Sequence, residues 1–200
     1  MPTRRSFLIS TATVLLTAPN ARAITLTEQP SREEVFTDPV TPLLGNPDGD
    51  VTIVEFFDYQ CPFCKSSYPE LKRFVADDGN VGLIMRDWPI FGPSSQLASE
   101  RVLALDPEGY RIAHEALMAT DGRLTESDVR EILDDAGVDG LPAAHTPDVV
   151  AETLSRNDRM ANAFGLAGTP AFVIGSKVYG GVLDARGLAQ AVLEARGEQK

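Results

Sequence analysis

The chain has 200 residues, of which 43% are hydrophobic and 24% are charged, a size and composition that suit one globular domain and leave little room for a second. Its formal net charge of -11 argues against a surface that neutralises phosphates. We therefore expect neither nucleic acid nor an anionic membrane surface as a partner.

Residues 1–23 have the composition of an export signal. Arg4 and Arg5 form a basic start, an apolar stretch covers about 7–18, and residues 21–23 read Ala-Arg-Ala, a small-x-small cleavage site. That stretch is too short to span a bilayer, and no later run approaches roughly 20 apolar residues, so we expect no transmembrane anchor. The paired arginines fit either an ordinary secretory (Sec) signal or a twin-arginine signal, and both routes lead to an oxidising compartment.

Residues 24–47 are a polar lead-in to the folded domain, which is expected over 48–200. Four prolines interrupt the lead-in, so it is predicted to be extended, with at most one edge strand and no core residues.

The first strand and helix of the domain have clear patterns. Val51–Phe57 is a β-branched and aromatic run that is typical of a strand buried on both faces, and we predict it to be the central strand. Apolar residues with helical spacing follow over 63–76, where Pro62 suits the first turn. A second buried strand at 81–85 then implies a parallel pair with a right-handed crossover.

The pattern is helical throughout about 94–164. Helices are predicted at 95–105, 110–119, 127–136 and 148–164, separated by glycine and proline breakers, and together they form a helical insertion. The sheet resumes with strands at 171–174 and 178–179, and a final helix covers 185–195. At the edge of the insertion, Trp88, Ile90 and Phe91 are expected to pack into the core, although they could instead line an apolar groove.

The two cysteines of the chain occur in Cys61-Pro62-Phe63-Cys64. A bridge across this spacing closes a very small loop and contributes little stability, so the pair favours redox chemistry over a structural disulfide. Cys61 lies at a predicted helix N-terminus, where free N–H groups and the helix dipole favour a thiolate, which predicts that it is the nucleophile. Cys64 lies one turn in, more buried, and can resolve a mixed disulfide.

Half of a zinc site has the same Cys-x-x-Cys spacing. Zinc needs about four ligands, and the sequence offers only His114 and His145 in addition, both far away along the chain. No metal site is therefore expected, although capture of a soft ion such as copper by the two thiols remains an alternative.

Glu55 lies six residues before Cys61, inside the apolar strand. Either it is a buried acid with a raised pKa that exchanges protons with Cys64, or the strand end is solvated and the side chain points to water. Asp58 is expected to be a loop residue and Lys65 a surface residue of the first helical turn.

Two distant segments carry a family resemblance. The run from Glu55 to Cys64 (EFFDYQCPFC) and the run Gly168-Thr169-Pro170-Ala171-Phe172 resemble the two signature segments of DsbA-like thiol–disulfide oxidoreductases of the thioredoxin superfamily. Residues 44–47, residues 86–89 and the helical insertion extend the similarity. The resemblance implies an α/β, thioredoxin-like fold with a central mixed sheet and an inserted helical domain.

The same resemblance implies roles for individual residues. Cys61 is the nucleophile, Cys64 the resolving cysteine and Glu55 the buried acid, while Thr169 and Pro170 form the cis-proline loop. An extended substrate would pair with the backbone of Thr169 beside Cys61.

Phe63 departs from the family pattern. The best-known oxidase of the family carries His at this position, whereas Phe63 offers neither charge nor a hydrogen bond. We therefore expect Cys61 to be less acidic and the enzyme less strongly oxidising, with Pro62 and Phe63 tuning the redox potential.

The resemblance implies a periplasmic enzyme that forms disulfide bonds in reduced or unfolded exported proteins. Such an enzyme would need no cofactor other than its own redox-active disulfide, Cys61–Cys64. A membrane quinone-linked thiol oxidase would reoxidise the reduced enzyme. A disulfide isomerase or reductase of the same fold is the alternative, but those relatives usually carry a dimerisation domain, and 24–47 is too short to form one.

Overall fold

A computed structural model describes residues 29–138 and 140–198. The predicted export signal at 1–23 lies outside these residues. Among the helices of the described ranges, none has both the length and the apolar character that a membrane crossing requires.

Five strands form one mixed sheet. In chain order they are β1 (Leu44–Gly45), β2 (Val51–Phe57), β3 (Val81–Asp87), β4 (Ala171–Ile174) and β5 (Lys177–Gly180). They lie in the order β1-β3-β2-β4-β5, and only β2 and β3 are parallel among these neighbours. Strand β2 is central, as predicted, and the mixed sheet confirms the predicted fold class.

Of the seven helices in the described residues, six lie where the sequence pattern predicts them, with boundaries that differ by at most three residues, and the short first helix lies in the lead-in, where no helix is predicted. They are α1 (Arg32–Phe36), α2 (Pro62–Asp78), α3 (Pro93–Leu103), α4 (Pro107–Met118), α5 (Glu126–Asp135), α6 (Pro147–Ala163) and α7 (Ala185–Glu198). Four of them begin with proline, whose missing N–H group is unneeded in a first turn. Prolines between the predicted helices of the insertion, such as Pro107, therefore lie at helix starts.

Side chains of β2 alternate between two hydrophobic clusters, one on each face of the sheet. Ile53 and Phe57 pack in the larger cluster, which also contains Cys61 and Cys64. Val54 and Phe56 pack in the second cluster. Because successive strand residues point to opposite faces, Glu55 shares the face of Ile53 and Phe57, which is the face of the two cysteines.

The lead-in contributes to the core, so the prediction that it has no core residues is wrong. Helix α1 begins at a capping box of Ser31 and Glu34, and Val35 is buried in the second cluster. Arg86 of β3 is fully buried, forms an ion pair with Asp38 and donates to the carbonyl oxygens of residues 34, 35 and 37. A helix of five residues has too little periodicity to reveal itself, and its anchor lies far away in sequence.

Candidate active site

Cys61 lies at the junction of β2 and α2 and is the N-cap residue of the helix. Its backbone is extended, with φ -77° and ψ 114°, and its Sγ accepts a hydrogen bond from the backbone N–H of Cys64 at 3.5 Å. Pro62 occupies the first helical position. The sulfur of Cys61 therefore faces the positive end of the helix dipole, which stabilises a thiolate.

Thr169, far along the chain, lies against Cys61. The Sγ atom of Cys61 lies 3.2 Å from the carbonyl oxygen of Thr169, to which the protonated thiol donates, and the Thr169–Pro170 peptide bond is cis, as the resemblance implied. Strand β4 starts at the next residue, Ala171, which pairs with Phe56 of β2. The pairing of β2 with β4 thus brings the two signature segments together.

The two thiols differ in acidity. Hydrogen bonding with the Cys64 side chain lowers the pKa of Cys61 to about 6, with help from the backbone N–H groups of Phe63 and Cys64, although burial opposes the shift. Burial raises the pKa of Cys64 far above its usual range, and the hydrogen bond with Cys61 and the charge of Glu55 act in the same direction. Near neutral pH, Cys61 is therefore ionised and Cys64 remains a thiol.

Glu55 is fully buried, at 0% exposure, so the alternative in which it points to water is wrong. Neither of its carboxyl oxygens has a hydrogen-bond partner among the described residues. Burial raises its pKa well above the usual range, and the negative charge of Cys61 raises it further. The side chain is consequently a neutral acid near pH 7, electrostatically coupled to both cysteines.

Comparison with known proteins agrees with this geometry. Residues 52–193 match the sequence profile of the DSBA-like thioredoxin domain. The chain belongs to the DsbA-like family. The match covers β2 to most of α7, so it includes both cysteines, the helical insertion and the cis-proline loop of this DsbA-like chain.

Individual relatives support the DsbA-like assignment. The chain is 32% identical over 123 residues to disulfide bond formation protein D from Bacillus subtilis, an alignment that covers 58% of this chain and 53% of that protein. A thioredoxin-like oxidoreductase from Silicibacter pomeroyi has a similar structure, with a TM-score of 0.75 and 35% identity over 84% of this chain and 99% of the other.

A periplasmic thioredoxin-like protein from Salmonella enterica serovar Typhimurium is also similar in structure. Its TM-score is 0.74, with 30% identity over 82% of this chain and 95% of the other. The DsbA-like chain thus matches nearly the full length of these solved structures but only about half of the Bacillus protein.

Asp58 organises the active-site loop of this DsbA-like chain through contacts that the sequence pattern does not predict. It does lie in a loop, but it is 1% exposed, and its carboxylate accepts four hydrogen bonds. The donors are the backbone N–H groups of Gln60, Ile90 and Phe91, at 2.6, 2.7 and 3.1 Å, and the hydroxyl of Ser95 at 2.7 Å. An Asp at a strand end commonly bonds the N–H two residues on, which is the one local signal that could have revealed this role.

Lys65 is not a surface residue, so that prediction is also wrong. Its side chain is 7% exposed and its Nζ donates to the carbonyl oxygen of Gly122 at 2.8 Å. Gly122 belongs to the turn between α4 and α5, and the same turn is bound by Gln60, whose Oε1 accepts from the backbone N–H of Leu124 at 2.8 Å. The helical insertion is therefore hydrogen-bonded to the residues on both sides of the Cys61–Cys64 pair.

His114 belongs to the core. It is fully buried among aromatic rings, and its Nδ1 is 2.9 Å from the hydroxyl of Tyr59. Burial lowers the pKa of His114 to about 3, so the imidazole is neutral. Across 29–138 and 140–198, no three His, Cys, Asp or Glu side chains cluster in a way that could hold a metal ion.

Three large apolar residues near the active-site loop remain partly in solvent. Phe63 is 64% exposed, Ile90 41% and Phe91 38%, whereas Trp88 is buried and packs edge-on against Phe56. The expectation of core packing therefore holds for Trp88 and is wrong for Ile90 and Phe91. Asp58 accepts hydrogen bonds from the backbone N–H groups of both exposed residues and so fixes their backbone beside the active-site loop.

Proposed function

We propose that this chain is an exported thiol–disulfide oxidoreductase that forms disulfide bonds in other exported proteins. One observation carries the proposal: an acidic N-cap thiol, with a pKa of about 6, lies 3.2 Å from the carbonyl oxygen of Thr169 in a cis-proline loop. The neighbouring thiol of Cys64 stays protonated. This asymmetry is what a disulfide exchanger needs, because the ionised sulfur is the better leaving group.

The reaction starts from the oxidised enzyme, in which Cys61 and Cys64 share a disulfide bond that serves in place of a cofactor. A substrate thiolate attacks Sγ of Cys61, the Cys61–Cys64 bond breaks, and Cys64 leaves with the electron pair. A second substrate thiolate then attacks the substrate sulfur of the mixed disulfide and releases Cys61 as a thiolate. Two electrons pass from the substrate dithiol to the enzyme; of the two substrate protons, Cys64 retains one and solvent receives the other.

Glu55 supplies the proton that Cys64 needs as it leaves. The acid is neutral near pH 7 and is coupled to Cys64, so it can protonate the leaving thiolate and recover a proton from solvent afterwards. The transfer removes the buried thiolate, and the carboxylate that it leaves on Glu55 lasts only until the acid recovers its proton, so neither charge, which would be costly at this depth, persists.

The substrate would lie along the cis-proline loop in an extended form. The backbone of Thr169 beside Cys61 can pair with such a segment as with an added strand, and backbone pairing reads few side chains. Broad specificity for reduced or unfolded exported proteins follows, with exposed Phe63 and Phe91 offering apolar contacts near the sulfur.

We assign the enzyme to the periplasm because residues 1–23 have the features of an export signal, of Sec or twin-arginine type. Each turnover leaves the enzyme reduced, so continued oxidation needs an electron acceptor. A membrane quinone-linked thiol oxidase is the proposed reoxidant.

The first experiment determines whether the enzyme oxidises or reduces its substrates. The Cys61–Cys64 pair is equilibrated with glutathione buffers, and the oxidised protein is tested for its ability to restore activity to a reduced, unfolded model protein that contains disulfides. We expect a potential well above that of thioredoxin and stoichiometric oxidation by the wild type but not by Cys61→Ser. A potential near thioredoxin's, about -270 mV, would instead assign the chain a reductase role.

Two further outcomes separate the remaining alternatives. Efficient reshuffling of scrambled disulfides by the reduced protein, without net oxidation, would identify an isomerase. Saturable Cu(I) binding by the reduced protein, with no exchange activity, would identify a copper-binding thiol module.

A further inference from the structure

Lys65 lies one helical turn after Cys61 on the same face of α2. The backbone N–H of Lys65 donates to the carbonyl oxygen of Cys61 at 3.2 Å, so the two residues are related as i and i+4. Side chains in a helix lean towards its N-terminus. The backbone bond places the two residues on adjacent turns at the start of α2, which keeps the Lys65 side chain within range of the charge on Cys61.

The ammonium group of Lys65 is held in place and shielded from solvent. The side chain is 7% exposed, and Nζ bonds to the carbonyl oxygen of Gly122 at 2.8 Å. Leu124, two residues further on, is bound to Gln60, the residue before Cys61. The turn that fixes the ammonium is thus itself fixed to the active-site loop.

Lys65 is surrounded by negatively charged groups, whose charge its ammonium group compensates. Burial lowers the pKa of Lys65, and the negative charges of Asp58, Asp121 and Cys61 oppose this effect. Asp58 comes from the loop after β2 and Asp121 from the turn after α4. Glu55, on β2, also faces the cysteines but is neutral near pH 7. Without the ammonium group, the Cys61 thiolate would lie near the negative charges of Asp58 and Asp121, and the uncharged Phe63 would not compensate for them.

We propose that Lys65 is a positioning residue for the redox chemistry. Its ammonium group stabilises the Cys61 thiolate electrostatically, a role that the uncharged side chain of Phe63 cannot have. This stabilisation raises the reduction potential of the Cys61–Cys64 pair. The inference rests on the proposed function. Reduction adds two electrons to the disulfide, puts one proton on Cys64 and leaves Cys61 as a thiolate. The ammonium favours this product over the uncharged disulfide, which makes the disulfide more oxidising.

The test compares three variants of the full chain. Lys65→Gln removes the charge and keeps an N–H donor for Gly122, Lys65→Arg keeps the charge, and Lys72→Gln removes an exposed lysine from the same helix. Thiolate absorbance measured against pH gives the pKa of Cys61, and equilibration with glutathione gives the exchange constant.

We expect Lys65→Gln to raise the pKa of Cys61 by a fraction of a pH unit and to make the enzyme disulfide about two- to threefold less oxidising at pH 7. Lys65→Arg should match the wild type, because it restores the charge. Lys72→Gln should leave both quantities unchanged, since its ammonium is half-exposed and pairs with Glu115.

Two results would overturn the inference. One is a Lys65→Gln protein whose Cys61 pKa and glutathione constant equal those of the wild type. The other is a loss of exchange rate with no change in either quantity, which would mean that Lys65 only holds the turn at Gly122. If Lys65→Gln does not fold, Lys65→Met, which keeps the apolar stem, replaces it in the same comparison.

A wild-type protein that does not exchange with glutathione would refute the proposed function separately. The thiolate titration of the variants would still decide whether Lys65 stabilises the charge of Cys61.

Discussion

The ionisation of Cys61 should make the stability of the reduced protein depend on pH. The pKa of this thiol falls from an ordinary value of 9.0 to about 6 on folding. A depressed pKa stabilises the folded state fully above the unfolded-state value and ceases to do so as the pH falls through the folded-state value. At pH 8 the folded thiol is about two pH units above its pKa while the unfolded thiol is still protonated, which corresponds to about 3 kcal/mol; at pH 5 the contribution is close to zero.

Cys61→Ser isolates this contribution, because serine can occupy the N-cap position without ionising. Reduced wild type and variant are unfolded in urea at pH 5 and pH 8, with fluorescence of the single tryptophan, the buried Trp88, as the signal. The stability advantage of the wild type over the variant should grow by about 3 kcal/mol between the two pH values, a difference of roughly 1–2 M in the urea midpoint.

Other titrating groups largely cancel in this comparison because both proteins contain them. Cys64→Ala provides a second comparison: it removes the hydrogen bond that lowers the Cys61 pKa most, so its pH dependence should be smaller than that of the wild type. An equal pH dependence in wild type and Cys61→Ser would refute the assignment of an ionised Cys61 in the folded state.

Three further substitutions test the buried polar groups. Glu55→Gln should stabilise the protein more at pH 8 than at pH 4, because a buried carboxyl group with a raised pKa destabilises the folded state as the pH rises. The same substitution should slow thiol exchange near neutral pH. Urea midpoints and pH–rate profiles identical to those of the wild type would contradict these two expectations. Arg86→Met should lower the free energy of unfolding by about 3–5 kcal/mol in chemical denaturation, because it removes a partner from Asp38 and from three carbonyl oxygens. The control Arg159→Met removes an exposed ion pair and should cost less than about 1 kcal/mol. Similar losses in the two variants would contradict the stabilising role of the buried Arg86 contacts. Asp58→Ala should cost about 3–5 kcal/mol by the same measurement, since it leaves three backbone N–H groups and a buried hydroxyl without their acceptor, and the exposed Asp121→Ala should be nearly neutral.

The secondary structure and the chemistry of the cysteine pair could be predicted from the sequence because both are local. The run Val51–Phe57 contains its own evidence for a buried strand, and Pro62 and the helical spacing after it place Cys61 at a helix start. The helical insertion follows from the same periodicity. These features need only neighbouring residues, so tertiary contacts shift their ends by a few residues without changing their type.

Tertiary structure alone decided which distant groups meet at the site and which polar groups are buried there. The pairing of β2 with β4 brings the carbonyl oxygen of Thr169 within 3.2 Å of the Cys61 sulfur. Lys65 and Asp58 belong to residue types that are usually found at surfaces and in loops, but both are buried here. Their charged groups are satisfied by hydrogen bonds to Gly122, in the case of Lys65, and to Ile90 and Phe91, in the case of Asp58. Arg86 likewise anchors a lead-in that has almost no pattern of its own. A polar side chain can be buried only where partners from other elements satisfy it, and periodicity along one segment contains no information about those partners.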